Sequence, residues 1–224
     1  MPSRKEILAN GEYYHVFNRA ENKRPIFSKT ADCNRAIGLL EYYRFAETPM
    51  RFSYLMSYGL DKRANILKRV NTKDLLITVI SFSLMPNHFH LLLRQEKSGG
   101  ISRYLAQFQN SYTKYLNTKN LKDGHTFKGQ FKAVRIEDGE QLQHIVRYIH
   151  INPLTSFVVK DFEDLEKYPY SSLQEYLGLR KGFCDKAIIL SNFKSKKSYR
   201  DFLFDQVGYQ QELDYIKHLL IEKI

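Results

Sequence analysis

The order of segments in the sequence predicts an α+β fold, a ferredoxin-like antiparallel sheet with the order β-α-β-β-α-β and one further helix after the last strand. Short runs of β-branched and aromatic residues alternate with longer segments whose apolar residues recur at helical spacing. Glycine, proline or capping residues separate most of these segments. The length is enough for one domain of ordinary size with a core of its own.

The first strand and first helix come from the N-terminal part of the chain. Tyr13–Phe17 predicts a strand, and a basic loop follows it. Thr30 or Asp32 can cap a helix that runs to about Phe45, because the apolar residues after them recur at helical spacing.

The next two strands form a predicted hairpin that follows a less regular segment. Residues 49–73 are basic and include a short helical segment, Ala64–Val70, so we interpret 49–73 as an insertion. Leu75–Ile80 is rich in β-branched residues and predicts the second strand. Met85-Pro86-Asn87 then forms a turn, and His88–Arg94 is the returning strand.

Two helices and one strand complete the predicted core. A helix with a long apolar face follows the breaker Ser98-Gly99-Gly100. Phe127–Ile136 predicts the last strand. Asp138 precedes the final helix, and Pro153 is expected to end it.

The chain is predicted to divide near residue 180. Residues 1–179 form the expected catalytic domain, and residues 180–224 form a C-terminal helical appendage. Glu212–Ile224 has the pattern of an amphipathic helix within that appendage.

Composition indicates a DNA- or RNA-binding protein more readily than a membrane protein. The 35 lysines and arginines exceed the 24 acidic residues, giving a net charge of +11 that favours binding to a polyanion. No apolar run approaches the roughly 20 residues that span a bilayer. Cys33 and Cys184 are far apart and are typical of reduced thiols in a cytosolic protein, so we expect a cytoplasmic protein associated with the nucleoid.

His88 and His90 are a candidate metal site. They are two residues apart on a predicted strand, so both imidazoles point to the same face. Two imidazoles leave coordination positions open for a substrate oxygen, as metal-assisted phosphate chemistry requires. The same spacing also occurs in strand histidines that only form local hydrogen bonds.

Tyr148 and Asn152 are a candidate nucleophile and ligand on the last predicted helix. They are four residues apart and therefore share one face of the helix. A free phenol has a pKa of about 10 and needs a nearby cation to act as a nucleophile at neutral pH. Asn152 offers a carbonyl oxygen to such a cation. Spacing alone favours the interpretation that Tyr148 simply packs between helix and sheet.

Five segments of the chain resemble one known family, the single-tyrosine HUH transposases, and within it the REP-associated tyrosine transposases and their insertion-sequence relatives. The resemblance covers roughly residues 11–178, with the segments in the family's order. The segments are His88-Phe89-His90 after Met85-Pro86-Asn87, Val146–Pro153 around Tyr148, Tyr14–Arg19, Phe127–Phe131 and Tyr168–Ser172.

The resemblance implies an activity and a set of roles. It implies a nuclease and strand transferase that cuts single-stranded DNA near hairpins through a bond between Tyr148 and a 5′ phosphate. His88 and His90 would bind a divalent metal ion, Mg²⁺ or Mn²⁺, with Asn152 as the third ligand. Many members have Gln at the position of Asn152 and begin the segment equivalent to 127–131 with Trp, which this chain lacks.

Basic residues near these motifs are candidates for contacts with DNA phosphates, which would make binding dependent on salt and largely independent of base sequence. These candidates are Arg19, Lys23, Arg24, Lys128, Lys132, Arg135 and Arg147.

Two other functions remain open at this level. A catalytically silent nucleic-acid binding module could use the same fold, and a metal-dependent hydrolase could use water instead of Tyr148. The family includes monomers and homodimers, and the sequence favours neither.

Overall fold

Residues 7–205 of the chain are described by a computed structural model. This range contains four strands, nine α-helices and one short 3-10 helix, Glu21–Lys23. The strands are β1 (Tyr13–Arg19), β2 (Ile77–Met85), β3 (His88–Gln95) and β4 (Lys132–Ile136). The helices are α1 (Thr30–Tyr42), α2 (Phe52–Ser57), α3 (Leu60–Leu67), α4 (Gly100–Asn120), α5 (Gly139–Thr155), α6 (Phe162–Lys167), α7 (Leu173–Tyr176), α8 (Ala187–Leu190) and α9 (Lys196–Phe204).

The strands form one antiparallel sheet in the order β2-β3-β1-β4. This order, together with α1 between β1 and β2 and α4 between β3 and β4, is the predicted ferredoxin-like arrangement. β1 lies between β3 and β4, so the first strand is the direct neighbour of the strand that carries both candidate histidines. In this register Phe17 pairs with His90, and Arg19 pairs with His88.

Side-chain alternation along β3 separates the two faces of the sheet. The ring of Phe89 contacts Phe108 of α4, with centroids 5.4 Å apart. The ring of His90, the next residue, contacts Tyr148 of α5. Helices α1 and α4 therefore cover one face, and α5 packs against the other.

The predicted hairpin is present, with shifted boundaries. β2 begins at Ile77 and extends to Met85, five residues beyond the predicted end. It is longer because β3 pairs with it up to the turn, where Met85 lies opposite His88. Only Pro86 and Asn87 separate the two strands, which confirms the predicted turn.

Elsewhere the predicted boundaries were less accurate. β4 begins at Lys132, not Phe127, because Gly129 has a left-handed φ of 54° and Phe127 makes only an isolated bridge to Ala20. Helix α1 ends at Tyr42 and has no side-chain cap at its start. The segment predicted as Ala64–Val70 is helix α3, which begins four residues earlier and ends three residues earlier.

Helix α5 continues through Pro153 to Thr155, so the prediction that Pro153 ends it was wrong. Proline removes only one N–H donor from the helix. The last turn is closed instead by hydrogen bonds from the backbone N–H of Ser156 to Asn152 and of Val158 to Pro153. The predicted start is confirmed, since the Asp138 side chain accepts a hydrogen bond from the Gln141 backbone at 2.8 Å.

The described part of the predicted appendage packs into the same core as the sheet. Cys184, Ile189, Tyr199 and Leu203 are buried in the hydrophobic cluster that includes β1, β2 and β3. The predicted helix Glu212–Ile224 lies outside the described residues. Within residues 7–205, no helix is both long enough and apolar enough to cross a bilayer.

Candidate active site

His88 and His90 lie at the turn end of β3, on the face of the sheet that α5 covers. Their ring centroids are 5.0 Å apart, and the ring planes are nearly perpendicular at 87°. His90 is fully buried, whereas His88 is half-buried beside the β2–β3 turn. The pair therefore opens to solvent on the side of His88.

Asn87, the neighbour of His88, contacts one of its two ring nitrogens. Nδ1 of His88 lies 2.7 Å from the Oδ1 of Asn87. An amide oxygen only accepts hydrogen bonds, so this contact is a hydrogen bond when Nδ1 carries the proton. In that tautomer, a metal ion at His88 would bind to Nε2.

A third histidine, His15 of β1, is part of the same cluster. Its Nε2 lies 3.0 Å from Nδ1 of His90, and both rings are fully buried. His15 lies in Tyr14–Arg19, one of the segments that resemble the family, but the sequence alone assigned it no role. The sequence signal that could have identified His15 is a polar residue within an otherwise apolar segment of β1. In the ferredoxin-like order, β1 is the neighbour of β3.

Tyr148 of α5 lies directly against these rings. Its ring centroid is 5.4 Å from that of His90 and 6.0 Å from that of His15, and it meets both rings edge-on. Only 5% of Tyr148 is exposed. The fold thus brings the candidate nucleophile to the candidate metal site, although the two are 58 residues apart in sequence, from residue 90 to residue 148.

Asn152 lies one helical turn after Tyr148 and is also buried. Its Oδ1 accepts a hydrogen bond from the Ser156 hydroxyl at 3.2 Å. Within residues 7–205, no hydrogen bond joins Asn152 to His88 or His90. An amide oxygen has two lone pairs, so a metal ion bound to Oδ1 of Asn152 would not require loss of the hydrogen bond from Ser156.

Two other histidines of α5 lie outside the cluster. His144 faces Glu140, at 3.6 Å, and the ring of Phe202. His150 lies 2.7 Å from both the Tyr199 hydroxyl and the Ser172 hydroxyl. Complete burial lowers the pKa of His150 to about 3, so this ring is neutral in the folded protein.

The two imidazoles fit a metal ion whose remaining coordination positions are open to other ligands. The described residues contain no group of three or more His, Cys, Asp or Glu side chains placed to hold a metal. A metal ion held by this pair would bind Nε2 of each ring, because Nδ1 of His88 faces Asn87 and Nδ1 of His90 faces His15. Such an open arrangement suits catalysis better than a structural metal site, whose coordination is closed.

Several predicted DNA contacts lie around the open side of the pair. Arg19 is directly opposite His88, and the backbone N–H of Lys128 donates to the carbonyl of Arg19. The carbonyl of Lys23 accepts a hydrogen bond from the Asn87 side chain. Arg24 is exposed and donates to the His125 carbonyl at 3.2 Å. These four residues lie near the end of the sheet where β1 ends and β3 begins, which is the end at which His88 lies.

The other three predicted contacts differ in their surroundings. Lys132 is exposed and lies over the ring of Phe17, which itself packs against His90. Arg135 forms an ion pair with Glu12 at 2.9 Å. Arg147 is only 1% exposed, stacks on Phe202 and donates to the Asp205 carbonyl, so its side chain cannot reach a ligand in solvent as placed.

The chain also matches a known protein family. The model described as "Transposase IS200 like" matches residues 10–152. The chain belongs to the IS200-like transposase family. The matched range includes every residue of the cluster, from His15 to Asn152.

One solved structure agrees with the fold of this IS200-like transposase. A REP-associated tyrosine transposase bound to a REP hairpin matches 81% of the chain and 89% of its own length, with a TM-score of 0.54 and 16% identity. A Deinococcus radiodurans R1 protein described as a candidate transposase matches 64% of the chain and 91% of its own length, with a TM-score of 0.35 and 13% identity. No curated protein sequence matches the chain significantly.

Proposed function

We propose that this IS200-like transposase cuts and rejoins single-stranded DNA through a covalent bond between Tyr148 and a 5′ phosphate. The observation that carries the proposal is the contact of Tyr148 with His90, at 5.4 Å between ring centroids, inside the range that matches the family. This contact supports a chemical role for Tyr148, because it places the phenol ring beside one of the two imidazoles that would hold the metal ion.

The chemistry is a transesterification that needs no external energy source. The Tyr148 oxygen forms a bond to phosphorus, and the bond between phosphorus and the 3′ oxygen of the preceding nucleotide breaks. The phenolic proton is lost, and the released 3′ oxygen gains one. Reversal by a 3′ hydroxyl of another strand releases Tyr148 and joins the two DNA segments.

His88 and His90 would hold a divalent metal ion, Mg²⁺ or Mn²⁺, through their Nε2 atoms, with Asn152 as the third ligand. Imidazole and amide oxygen ligands together are compatible with Mn²⁺, which tolerates nitrogen better than Mg²⁺ does. When bound, such an ion polarises the scissile phosphate and stabilises the charge that develops on it.

His15 would act as a positioning residue for His90. Two arrangements of the proton between their rings are possible. If His90 donates from Nδ1 to Nε2 of His15, Nε2 of His90 keeps the lone pair that a metal requires. If His15 donates, Nε2 of His90 carries a proton and cannot bind a metal. A partner that accepts from Nδ1 fixes the ligand's tautomer and orientation, as outer hydrogen bonds do at other histidine metal sites.

The DNA strand would enter on the side of His88. Arg19, Lys23, Arg24, Lys128 and Lys132 are the cations that we propose to contact its phosphates. Arg147 is excluded because it is buried, and Arg135 is placed less favourably because Glu12 neutralises it. A hairpin beside the cleavage site is the proposed target, by analogy with the structurally similar protein that is bound to a REP hairpin.

A denaturing gel tests this function. The full chain is incubated with Mn²⁺ or Mg²⁺ and end-labelled single-stranded oligonucleotides that carry hairpins from the DNA flanking its gene. We expect a metal-dependent band of protein joined to DNA, absent in Tyr148→Phe and His88→Ala. Tyr170→Phe is the matched control, because it also removes one hydroxyl, which bonds to Thr30 at the surface.

The outcomes separate the three possible functions. Loss of the band in Tyr148→Phe and its persistence in Tyr170→Phe support the proposal. Cleavage that persists in Tyr148→Phe indicates a hydrolase that uses water. Tight binding without a covalent band on any hairpin indicates a silent binding module.

A further inference from the structure

A second groove lies on the face of the sheet opposite Tyr148, between α1, α4 and the segment 48–53. Its volume is about 940 Å³. Five cationic residues line it, and no acidic residue does. The cations are Arg35, Arg51, Arg103, Lys114 and Lys119.

Four of these five charges have no carboxylate partner in the part of the chain that the structure describes. Lys119 forms an ion pair with the buried carboxylate of Asp32. Within residues 7–205, Arg35, Arg51, Arg103 and Lys114 have no carboxylate partner. Arg103 donates to the backbone carbonyl of Ala46 at 2.9 Å, which orients its guanidinium without cancelling its charge.

Arg35 is held at the base of this charge cluster by two rings. Its guanidinium lies 4.7 Å from the centroid of Phe52 and 5.2 Å from that of Tyr115. Its Nε is buried without a hydrogen-bond partner among the described residues. Burial lowers the pKa of Arg35, and no carboxylate offsets this effect. An anion in the groove would supply the missing negative charge.

The shape of the groove favours an extended polyanion over a small anion. Along α4 the cations run from Arg103 to Lys119, a distance of about 24 Å at the rise of an α-helix. Along the axis of a B-form duplex, that length corresponds to roughly seven base pairs. Hydroxyl and amide side chains, including Gln107, Asn110 and Ser111, lie between the cations.

The groove offers little to unpaired bases. One face of Tyr115 is occupied by Arg35, and Tyr43 is buried with its hydroxyl 2.9 Å from that of Ser111. Neither tyrosine is a free platform for base stacking, which sequence-tolerant single-strand sites use. Contacts here would go to phosphates and sugars.

We propose that this groove binds the phosphate backbone of a second stretch of DNA, outside the strand that Tyr148 attacks. The groove and Tyr148 lie on opposite faces of the sheet, so one stretch of strand cannot lie flat against both. The same chemistry suits either a duplex or a continued single strand. The groove would hold flanking DNA while the other face performs catalysis.

The test measures how salt weakens binding by the full chain. A fluorescent 20-base-pair duplex of mixed sequence and a 20-nucleotide single strand are titrated by anisotropy at several salt concentrations. The test variant is Arg103→Ala with Lys114→Ala, both exposed on α4. The matched control is Lys160→Ala with Lys181→Ala, which removes the same charge from exposed positions outside the groove.

If the groove binds DNA, the slope of log Kd against log salt falls in the test variant and stays unchanged in the control. Each lost phosphate contact reduces the slope by about 0.9 on duplex and about 0.7 on single strand, so two contacts give about 1.8 or 1.4. The probe whose slope changes identifies the form of DNA. An unchanged slope on both probes, or equal changes in the two double variants, would overturn the inference. Formation of the Tyr148 adduct is measured separately, so failure of the proposed chemistry is distinguishable from failure of this site.

Discussion

Replacing His15 by leucine should weaken metal binding without removing either metal ligand. The structure gives His90 one hydrogen-bond partner on Nδ1, the Nε2 of His15 at 3.0 Å. Loss of an outer partner of this kind typically lowers metal affinity 10- to 100-fold. His88 keeps its own partner, Asn87, so the effect should be confined to His90, one of the two proposed histidine ligands.

The magnitude can be read from metal-dependent stability. At a Mn²⁺ concentration of 100 times the wild-type Kd, binding stabilises the folded protein by about 2.7 kcal/mol. With affinity reduced 10- to 100-fold, the same concentration stabilises His15→Leu by only about 1.4 to 0.4 kcal/mol. Urea unfolding with and without Mn²⁺ measures this difference directly, and it does not depend on DNA cleavage.

A matched variant separates positioning from the general cost of removing a buried histidine. His150 is also fully buried with two hydrogen bonds, but its partners are Tyr199 and Ser172, away from the metal site. His150→Leu should lower stability while keeping the full Mn²⁺ effect. His15→Gln should recover part of the effect, because its amide oxygen can accept from Nδ1 of His90. An undiminished Mn²⁺ effect in His15→Leu, or equal losses in both leucine variants, would refute the positioning role.

Three further predictions concern stability and DNA binding. Burial holds the pKa of His150 near 3, against 6.5 in the unfolded chain. Between pH 6.5 and pH 3 unfolding therefore takes up a proton, so stability falls as the pH is lowered. From pH 7 to pH 5 we expect a loss of about 2 kcal/mol from this residue, absent in His150→Gln, as measured by urea unfolding at each pH. Gly100→Ala should destabilise the protein by about 1–3 kcal/mol, since the new Cβ would lie 2.2 Å from the Leu76 carbonyl oxygen. Gly139→Ala is the control and should not destabilise it, because no atom lies within 4 Å of its Cβ. Equal melting temperatures of the two variants would contradict this packing. Lys128→Ala should reduce the salt slope of hairpin binding by about 0.9, and the buried Arg147→Met should leave it unchanged; the reverse pattern would show that Arg147 reaches DNA.

The sequence was sufficient to predict the sheet and both halves of the candidate site. Strand alternation placed His88 and His90 on one face, and the ferredoxin-like order predicted the neighbours of each strand. Family-like segments then connected the strand of His90 with the helix of Tyr148. Strand alternation and family-like segments are both local patterns, which can be recognised in a single sequence.

The part that could not be predicted depends on contacts between residues far apart in sequence. His15 reaches His90 only because β1 pairs with β3 in one register, and a shift of one residue would turn His15 to the other face. The burial of Arg147 depends on α9, which begins almost 50 residues later. The sequence placed Tyr148 and Asn152 on one face of their helix, but it did not show that this face is covered. The residues from Gln141 to Pro153 are almost all buried, because the sheet and the C-terminal segment cover the helix from two sides.

Peptide mapping of the covalent adduct tests the central claim most directly. The adduct formed on a hairpin oligonucleotide is digested with protease and nuclease, and the modified peptide is identified by mass spectrometry. The account predicts a nucleotide joined through its 5′ phosphate to the peptide that contains Tyr148, and a free 3′ hydroxyl on the released fragment. Attachment to any other of the 16 tyrosines, or linkage through a 3′ phosphate, would contradict it.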